Sequence, residues 1–327
     1  MQAKIDDLFS QDGNINTATS KATIALDATK MPSSILDICL PIEKALFKTL
    51  LGSSFEMKGN LSMQNLTGTC SLEMSSPQSS CSLKGVIVSG IFRLQENAIA
   101  KVQLTPAISH LFLKKEDSSI KSFSAPKPLT IQIDAKKFSV PIHPFSPSNL
   151  EASFIRIEPG KIYCESDGGL EKMLKLLKSK KTKGKDLEVW FAPIDLSISQ
   201  GIVEIERSEI LLDKQYEIAF WGPINIPSNS VNMTLGITAD TLKNALGIKG
   251  LPKDYMLKFP IKGSLNNVEV STGSATTKIA ALMLWSSKAL EKFGGPLGGA
   301  LNQIIPPPGG DGKNPPAKHP FPWEIGK

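Results

Sequence analysis

Phe55-Glu-Met-Lys-Gly-Asn-Leu-Ser-Met-Gln-Asn-Leu-Thr-Gly-Thr-Cys-Ser-Leu-Glu-Met74 is the stretch that decides the fold. Phe55, Met57, Gly59, Leu61 and Met63 alternate with Glu56, Lys58, Asn60 and Ser62, and Leu66, Gly68, Cys70, Leu72 and Met74 continue the habit. Period-two alternation turns every second side chain to the same side of an extended chain, so one face is apolar and the other meets water.

The same pattern recurs on both sides of this stretch. Upstream, Ala22, Ile24, Leu26 and Ala28 alternate with Thr23, Ala25, Asp27 and Thr29. Downstream come Leu129, Ile131 and Ile133, then Phe138, Val140 and Ile142, then Leu187, Val189 and Phe191, then Ile194, Leu196 and Ile198. Val231, Met233, Leu235 and Ile237 follow, then Tyr255, Leu257, Phe259 and Ile261, and Leu265, Val268 and Val270 close the series. Ser75–Ser80, Ser146–Ser148, Glu158-Pro-Gly160 and Pro227–Ser230 supply turn chemistry between runs. Many short strands with little helix between them predict an antiparallel meander rather than alternating βαβ units.

Four segments have helical spacing. Ser34–Leu51 carries an apolar pattern that Pro41 interrupts, and Gly169–Lys181 places Leu170, Met173, Leu174 and Leu177 on one side. Thr238–Leu246 reads as a short helix that Thr238 or Asp240 can cap. Ser274–Phe293 reads as the longest, an amphipathic C-terminal helix stopped by Gly294-Gly-Pro296. Past it, Pro306-Pro-Pro-Gly-Gly310 and Asn314-Pro-Pro316 predict an extended or disordered tail. His319-Pro-Phe-Pro-Trp323 forms an aromatic–proline patch able to dock on the body or on a partner.

Composition narrows the function classes. Hydrophobic residues make up 41% of the 327, enough for a real core. Aromatics are only 6%, which argues against stacking on nucleic-acid bases, so no nucleic-acid partner is expected. The net charge of +6 is mild and concentrates in Lys172, Lys175, Lys178, Lys180, Lys181, Lys183 and Lys185. That cluster suits anionic lipid headgroups, the plainer alternative being a solvated helix face. Ile279–Trp285, the longest apolar run, is far shorter than the roughly 18–20 residues that span a bilayer. Met1-Gln-Ala-Lys-Ile-Asp-Asp7 lacks a signal-peptide pattern, which suits a piece of a longer exported protein, a cytoplasmic chain being the alternative.

The residues of catalysis do not assemble. Of Cys39, Cys70, Cys81 and Cys164 none forms a CxxC pair, so no zinc or redox motif is expected. Cys70 and Cys81 flank the Ser/Pro-rich turn, a spacing open to a hairpin disulfide or to two small buried thiols. His110, His143 and His319 lack partners at metal-ligand spacing, no GxSxG elbow is present, and Gly294–Gly299 lacks the ending of a phosphate loop. Glu204, Glu206 and Glu209, with Glu151 and Glu158, are the only carboxylate grouping that suggests glycoside hydrolysis, and a solvated strand face explains them more simply. No enzyme, metal or cofactor is expected.

Residues 231–303 carry a more specific order. Val231–Ile237 leads to Thr238–Gly247, then to Gly250-Leu-Pro252, Tyr255-Met-Leu-Lys-Phe-Pro-Ile-Lys-Gly-Ser-Leu265, Asn266-Asn-Val-Glu-Val270 and the final helix. This succession resembles the C-terminal end of AsmA-like and TamB-like proteins of double-membrane bacteria. Asn267 stands where that family usually has Pro, and Glu269-Val270 replaces its usual acidic ending. The resemblance implies a long, curved antiparallel sheet with an apolar groove, an inner-membrane anchor preceding it, and a role in carrying phospholipid or supporting outer-membrane assembly. It places the chain in the periplasm or cell envelope, with phospholipid, membrane and other envelope proteins as partners.

The expectations are therefore a mainly β chain, an open β-groove with a few short helices and the C-terminal amphipathic helix. Its expected parts are a β-rich segment at 1–164, a Lys-rich helical insertion or boundary at 165–186, a groove end with terminal helix at 187–303 and a tail at 304–327. Leu129, Ile131, Ile133, Val231, Met233, Leu235, Leu257, Phe259 and Ile261 are the groove candidates. Lys172, Lys175, Lys178, Lys180 and Lys181 are the membrane-surface candidates. A structural or adhesive β protein with a closed core is the alternative.

Overall fold

The computed structural model describes residues 2–6, 21–39, 46–112, 120–142, 147–166, 187–265, 267–270, 278–280, 282–283, 314–319 and 321. The expected helix at 169–181, the lysine candidates and the boundary at 165–186 fall almost wholly outside these residues.

The chain is mainly β, antiparallel, not closed into a barrel, with few short helices. In chain order its strands are β1 (Gln2–Asp6), β2 (Lys21–Pro32), β3 (Ser54–Gln64), β4 (Thr67–Ser75), β5 (Ser79–Val88), β6 (Ile91–Leu94), β7 (Ala98–Val102), β8 (Ile120–Ser124), β9 (Leu129–Ile133) and β10 (Ser139–Pro141). There follow β11 (Ala152–Glu158), β12 (Lys161–Ser166), β13 (Leu187–Phe191), β14 (Ile194–Ser199), β15 (Ile202–Leu212), β16 (Tyr216–Asn225), β17 (Ser230–Thr238), β18 (Met256–Ser264) and β19 (Asn267–Val270). The helices are α1 (Ser34–Cys39), α2 (Leu46–Leu51), α3 (Pro106–Phe112) and α4 (Ala239–Leu246). Two compact units result: 1–112, 125–159 and 195–203 form the first, and 113–124, 160–194 and 204–327 the second.

The first unit is a meander. β1 pairs with β2, β2 with β3, β3 with β4 and β4 with β5. The second half of β5 then pairs with β6 and its first half with β7, after which β7 pairs with β9 and β9 with β11. Gln64 pairs with Thr67, so Asn65 and Leu66 alone reverse the chain, both at positive φ (52° and 56°). Ser89 and Gly90 repeat this between β5 and β6, at 51° and 76°. Positive φ at both central positions gives the twist that matches flanking strands. The Ser75–Ser80 turn is held by Ser76, whose hydroxyl accepts from the amides of Gln78 and Ser79 and donates to the Ser79 carbonyl.

Helices α1 and α2 replace the single expected pattern at 34–51, on either side of Pro41. Asp37 joins them, accepting from the amides of Phe47 (2.8 Å) and Lys48 (3.1 Å) at the start of α2. Leu51, Phe55 and Ile108, all 1–2% exposed, form the closed core at this end of the unit.

In the second unit β8 pairs with β12, β12 with β13 and β13 with β15, while β16, β17, β18 and β19 pair in sequence. Helix α4 begins as expected at Thr238, whose hydroxyl accepts from the Thr241 amide, and ends at Gly247 with φ 72°. The Thr241 hydroxyl donates to the Glu217 carbonyl and accepts from its amide, which seats α4 on β16. Of the expected C-terminal helix, residues 278–280 and 282–283 are described and are helical, with Ile279 and Leu282 buried.

Residues 314–319 and 321 of the tail carry no regular secondary structure and are tied to the body, one of the two sites open to the aromatic–proline patch. Arg207 Nη1 donates to the Pro315 carbonyl (2.7 Å), Asn314 donates to the Asp254 carbonyl (2.7 Å), and Lys318 pairs with Glu206. Phe321 is buried. Proline-rich backbone has little conformational freedom to lose on docking, so few contacts hold it.

Candidate functional site

Paired strands align their side chains in rows, so register decides whether alternation yields a continuous apolar face. In the first unit it does. Ala28 lies opposite Met57, Met57 opposite Met74, Met74 opposite Cys81, Cys81 opposite Ala100, Ala100 opposite Ile131 and Ile131 opposite Ile157. With strands ~4.8 Å apart, that row runs about 29 Å without a polar residue. Leu26, Gly59, Leu72 and Leu83 make a second row, and Ile24, Leu61, Cys70, Gly85 and Leu94 a third. The glycines leave room for larger neighbours: a Cβ on Gly85 would lie 2.5 Å from the Phe92 ring.

Burial along this face is unusual for a core. Ile24, Leu26, Met57, Leu61, Met63, Leu72, Met74, Leu83 and Ile131 are all half-buried, so solvent reaches each while its neighbours in the sheet flank it, whereas Ala22, Ile87, Leu94 and Ala98 at the borders of the face are 5–8% exposed. The reverse face is polar, with Asp27, Lys58 and Glu73 opposite one another in register.

The expected candidates Leu129, Ile131 and Ile133 sit on β9 within this face, half-buried, opposite Val102, Ala100 and Ala98. In the second unit Met233 lies opposite Ile261, Leu235 opposite Phe259, Ile237 opposite Leu257 and Val231 opposite Gly263. On the other side of β17, Ile218, Phe220 and Ile224 lie opposite Ile237, Leu235 and Val231. Six of the nine candidates thus share this second face. Its burial is mixed. Ile218, Ile237, Leu257 and Phe259 are 1–4% exposed, Met233, Leu235 and Ile261 are half-buried, Val231 beyond Met233 is 5% exposed, and Val268 on β19, in the row of Val231, is 47% exposed.

The remaining residues singled out from the sequence do not converge. Cys70 lies opposite Gly85 and Cys81 opposite Met74, four positions or ~13 Å apart along the strands, and both thiols are free. No disulfide joins them, because the hairpin register separates them. Burial pushes both thiols up. His110 is exposed on α3 rather than in a loop, His319 lies in the docked tail, and His143 is outside the described residues. Glu204 is exposed and Glu206 pairs with Lys318, whereas Glu209 is 4% exposed and paired with Arg207 at 2.7 Å. A solvated face therefore describes Glu204 but not Glu209. Glu151 accepts from the Gln200 amide. Among the described residues no group of three or more His, Cys, Asp or Glu is placed to hold a metal, and no helix is long and apolar enough to cross a membrane.

Charge is handled by local pairs. In the first unit Arg156 Nε and Nη2 meet both oxygens of the nearly buried Asp195 at 2.8 and 3.1 Å, and this fork raises the guanidinium further. In the second, Glu188 accepts from Lys161 (2.8 Å) and from the Trp190 indole (2.7 Å), and Lys161 also lies over the Tyr163 and Trp190 rings. Burial works to raise the Glu188 carboxyl, but those two hydrogen bonds, with the charges of Lys161 and Lys214, hold it below its ordinary range.

Sequence reading found the alternation of β3 and β4 but missed β5–β7, the part of the first face that joins them to β9. Cys81, Leu83 and Ile87 do alternate, yet Gly85 breaks the apolar run and a Leu in the two-residue turn at 65–66 hides the hairpin. No family model matches the chain, and neither a curated protein nor a solved structure matches it.

Proposed function

We propose that the apolar faces bind lipid acyl chains, and that the chain is a lipid-binding or lipid-transfer β-groove protein of a bacterial envelope. The observation that carries this reading is the half-buried state of unbroken apolar rows in the first unit. A face of this kind gains roughly 0.8 kcal/mol for each CH₂ an acyl chain buries against it, with no specific polar group required. Carrying phospholipid between membranes, or supporting outer-membrane assembly, needs no catalytic residue or cofactor. The resemblance of residues 231–303 to AsmA-like and TamB-like proteins points the same way, towards the periplasm, with membrane and other envelope proteins as partners.

Native mass spectrometry of the purified chain, followed by lipid extraction, tests this. Phospholipid should co-purify and be lost in Met57→Asp, a change at a half-buried position of the first unit's central row that leaves the melting transition in place, and Met233→Asp tests the second face in the same way. A lipid-free wild type with a cooperative melt would sink the proposal. It would favour a structural or adhesive β protein, the reading that the 1–4% exposure of Ile218, Ile237, Leu257 and Phe259 supports on its own.

A further inference from the structure

The outermost apolar residue among those described is not on a strand. Ile38, on α1, is 82% exposed, and Ile35, one turn earlier on the same side of the helix, is 41% exposed. We propose that the α1–α2 end of the first unit docks on a lipid bilayer, a proposal that rests on the acyl-binding reading above.

Three observations carry it. First, the two isoleucines are held outward by fixed structure. Asp37 ties α1 to the start of α2, the Ser33 amide donates to the Ser53 carbonyl (3.1 Å), and the Ser79 hydroxyl donates to the Leu50 carbonyl (2.6 Å). Leu51 and Phe55 are fully buried nearby, so α2 is anchored to the sheet while α1 keeps its apolar side in solvent. A large apolar side chain held outward by a rigid mount marks a contact surface.

Second, the position is continuous with the candidate site. Met31 lies opposite Phe55, and the next apolar row along the same strands is Ala28, Met57, Met74 and Cys81. Leu51 and Phe55 seal the sheet directly behind α1, so the open row begins one step further along the strands. Third, Lys30 and Lys48, both exposed, lie at the end of β2 and within α2. An exposed apolar pair whose neighbouring elements carry exposed lysines suits the headgroup–acyl boundary, where isoleucines bury and ammonium groups stay with the phosphates.

The test is flotation of the full chain with phosphatidylcholine vesicles containing about a third phosphatidylglycerol. Wild type should float, and Ile38→Asp should partition about tenfold more weakly or worse, since it removes one interfacial isoleucine. Because Ile38 is exposed, the variant should melt with wild type, and its co-purified phospholipid should be unchanged. Ile38→Trp should shift its fluorescence to the blue on adding vesicles. Equal flotation of wild type and Ile38→Asp would overturn the proposal, as would a wild type that carries lipid but never floats. A shift from dimer to monomer caused by Ile38→Asp without vesicles would also overturn it, assigning the surface to a second copy. Flotation that depends on Ile38 in a protein without co-purified lipid would uphold docking and remove only the acyl-binding reading.

Discussion

The two units show the same alternation and bury it differently. In the first, the row from Ala28 to Ile157 through the middle of the face is half-buried on every strand, with buried residues on either side of it, Leu51, Phe55 and Ile108 at one end and Ala22, Ile87, Leu94 and Ala98 elsewhere on the face. In the second, sealed and accessible positions alternate along β16–β19: Ile218, Ile237, Leu257, Phe259 and Val231 are sealed, Met233 and Ile261 between them are half-buried, and Val268 is in solvent. Period-two patterning fixes which side of a strand is apolar. It says nothing about how deeply that side is covered, so identical patterns serve as core in one place and as accessible surface in another.

Truncation should separate the two. Phe259→Ala, at a sealed position, should cost about 4 kcal/mol in urea denaturation, the range for emptying a packed aromatic site. Gly85→Val should follow at about 3 kcal/mol, because a Cβ there would lie 2.3 Å from the Arg93 carbonyl oxygen, and backbone cannot yield as a side chain end does. Arg156→Ala should cost about 2 kcal/mol by leaving Asp195, 5% exposed, without its fork. Leu72→Ala, on the open face, should cost only about 1 kcal/mol, since solvent already reaches the site. A Leu72 loss equal to that of Phe259 would erase the contrast between the units.

The smallest effect is on pH dependence. Glu188 is held below its ordinary range, so its contribution is fully present above that range and is lost as pH falls through the depressed value. Stability measured from neutral pH downwards should therefore drop less steeply in Glu188→Gln than in wild type. An unchanged acid limb would show that the Lys161 and Trp190 contacts give nothing to folding.

The sequence made the strand faces legible wherever alternation ran for four positions without a glycine. Val231–Ile237 and Leu257–Ile261 were both assigned to the correct side, and their direct opposition follows from the register the structure adds. The cap of α4 at Thr238 was equally readable, because a hydroxyl before a helix has a specific amide to meet. Three things were not readable. Helix α3 starts at Pro106 and lasts only about two turns, below what periodicity can detect. The Asn65-Leu66 turn uses a residue that rarely takes positive φ. Which surface the aromatic–proline patch at 319–323 docks on depends on contacts far away in sequence, such as Arg207 with Pro315, which local pattern cannot contain.

The two-residue turns of the meander have a consequence for how such a chain can change length over evolutionary time. Apolar positions are even-numbered in β2 (Ala22, Ile24, Leu26), odd in β3, even in β4 and odd in β5, and the turn at Asn65-Leu66 keeps that count in step with the pairing. Adding or deleting one residue inside a strand turns every later side chain of that strand over, exchanging Leu for Lys on the apolar side. Adding or deleting two leaves the faces as they were. Length variation among descendants of this sequence should therefore come in pairs within strands, or as whole hairpins, with odd-numbered changes confined to loops.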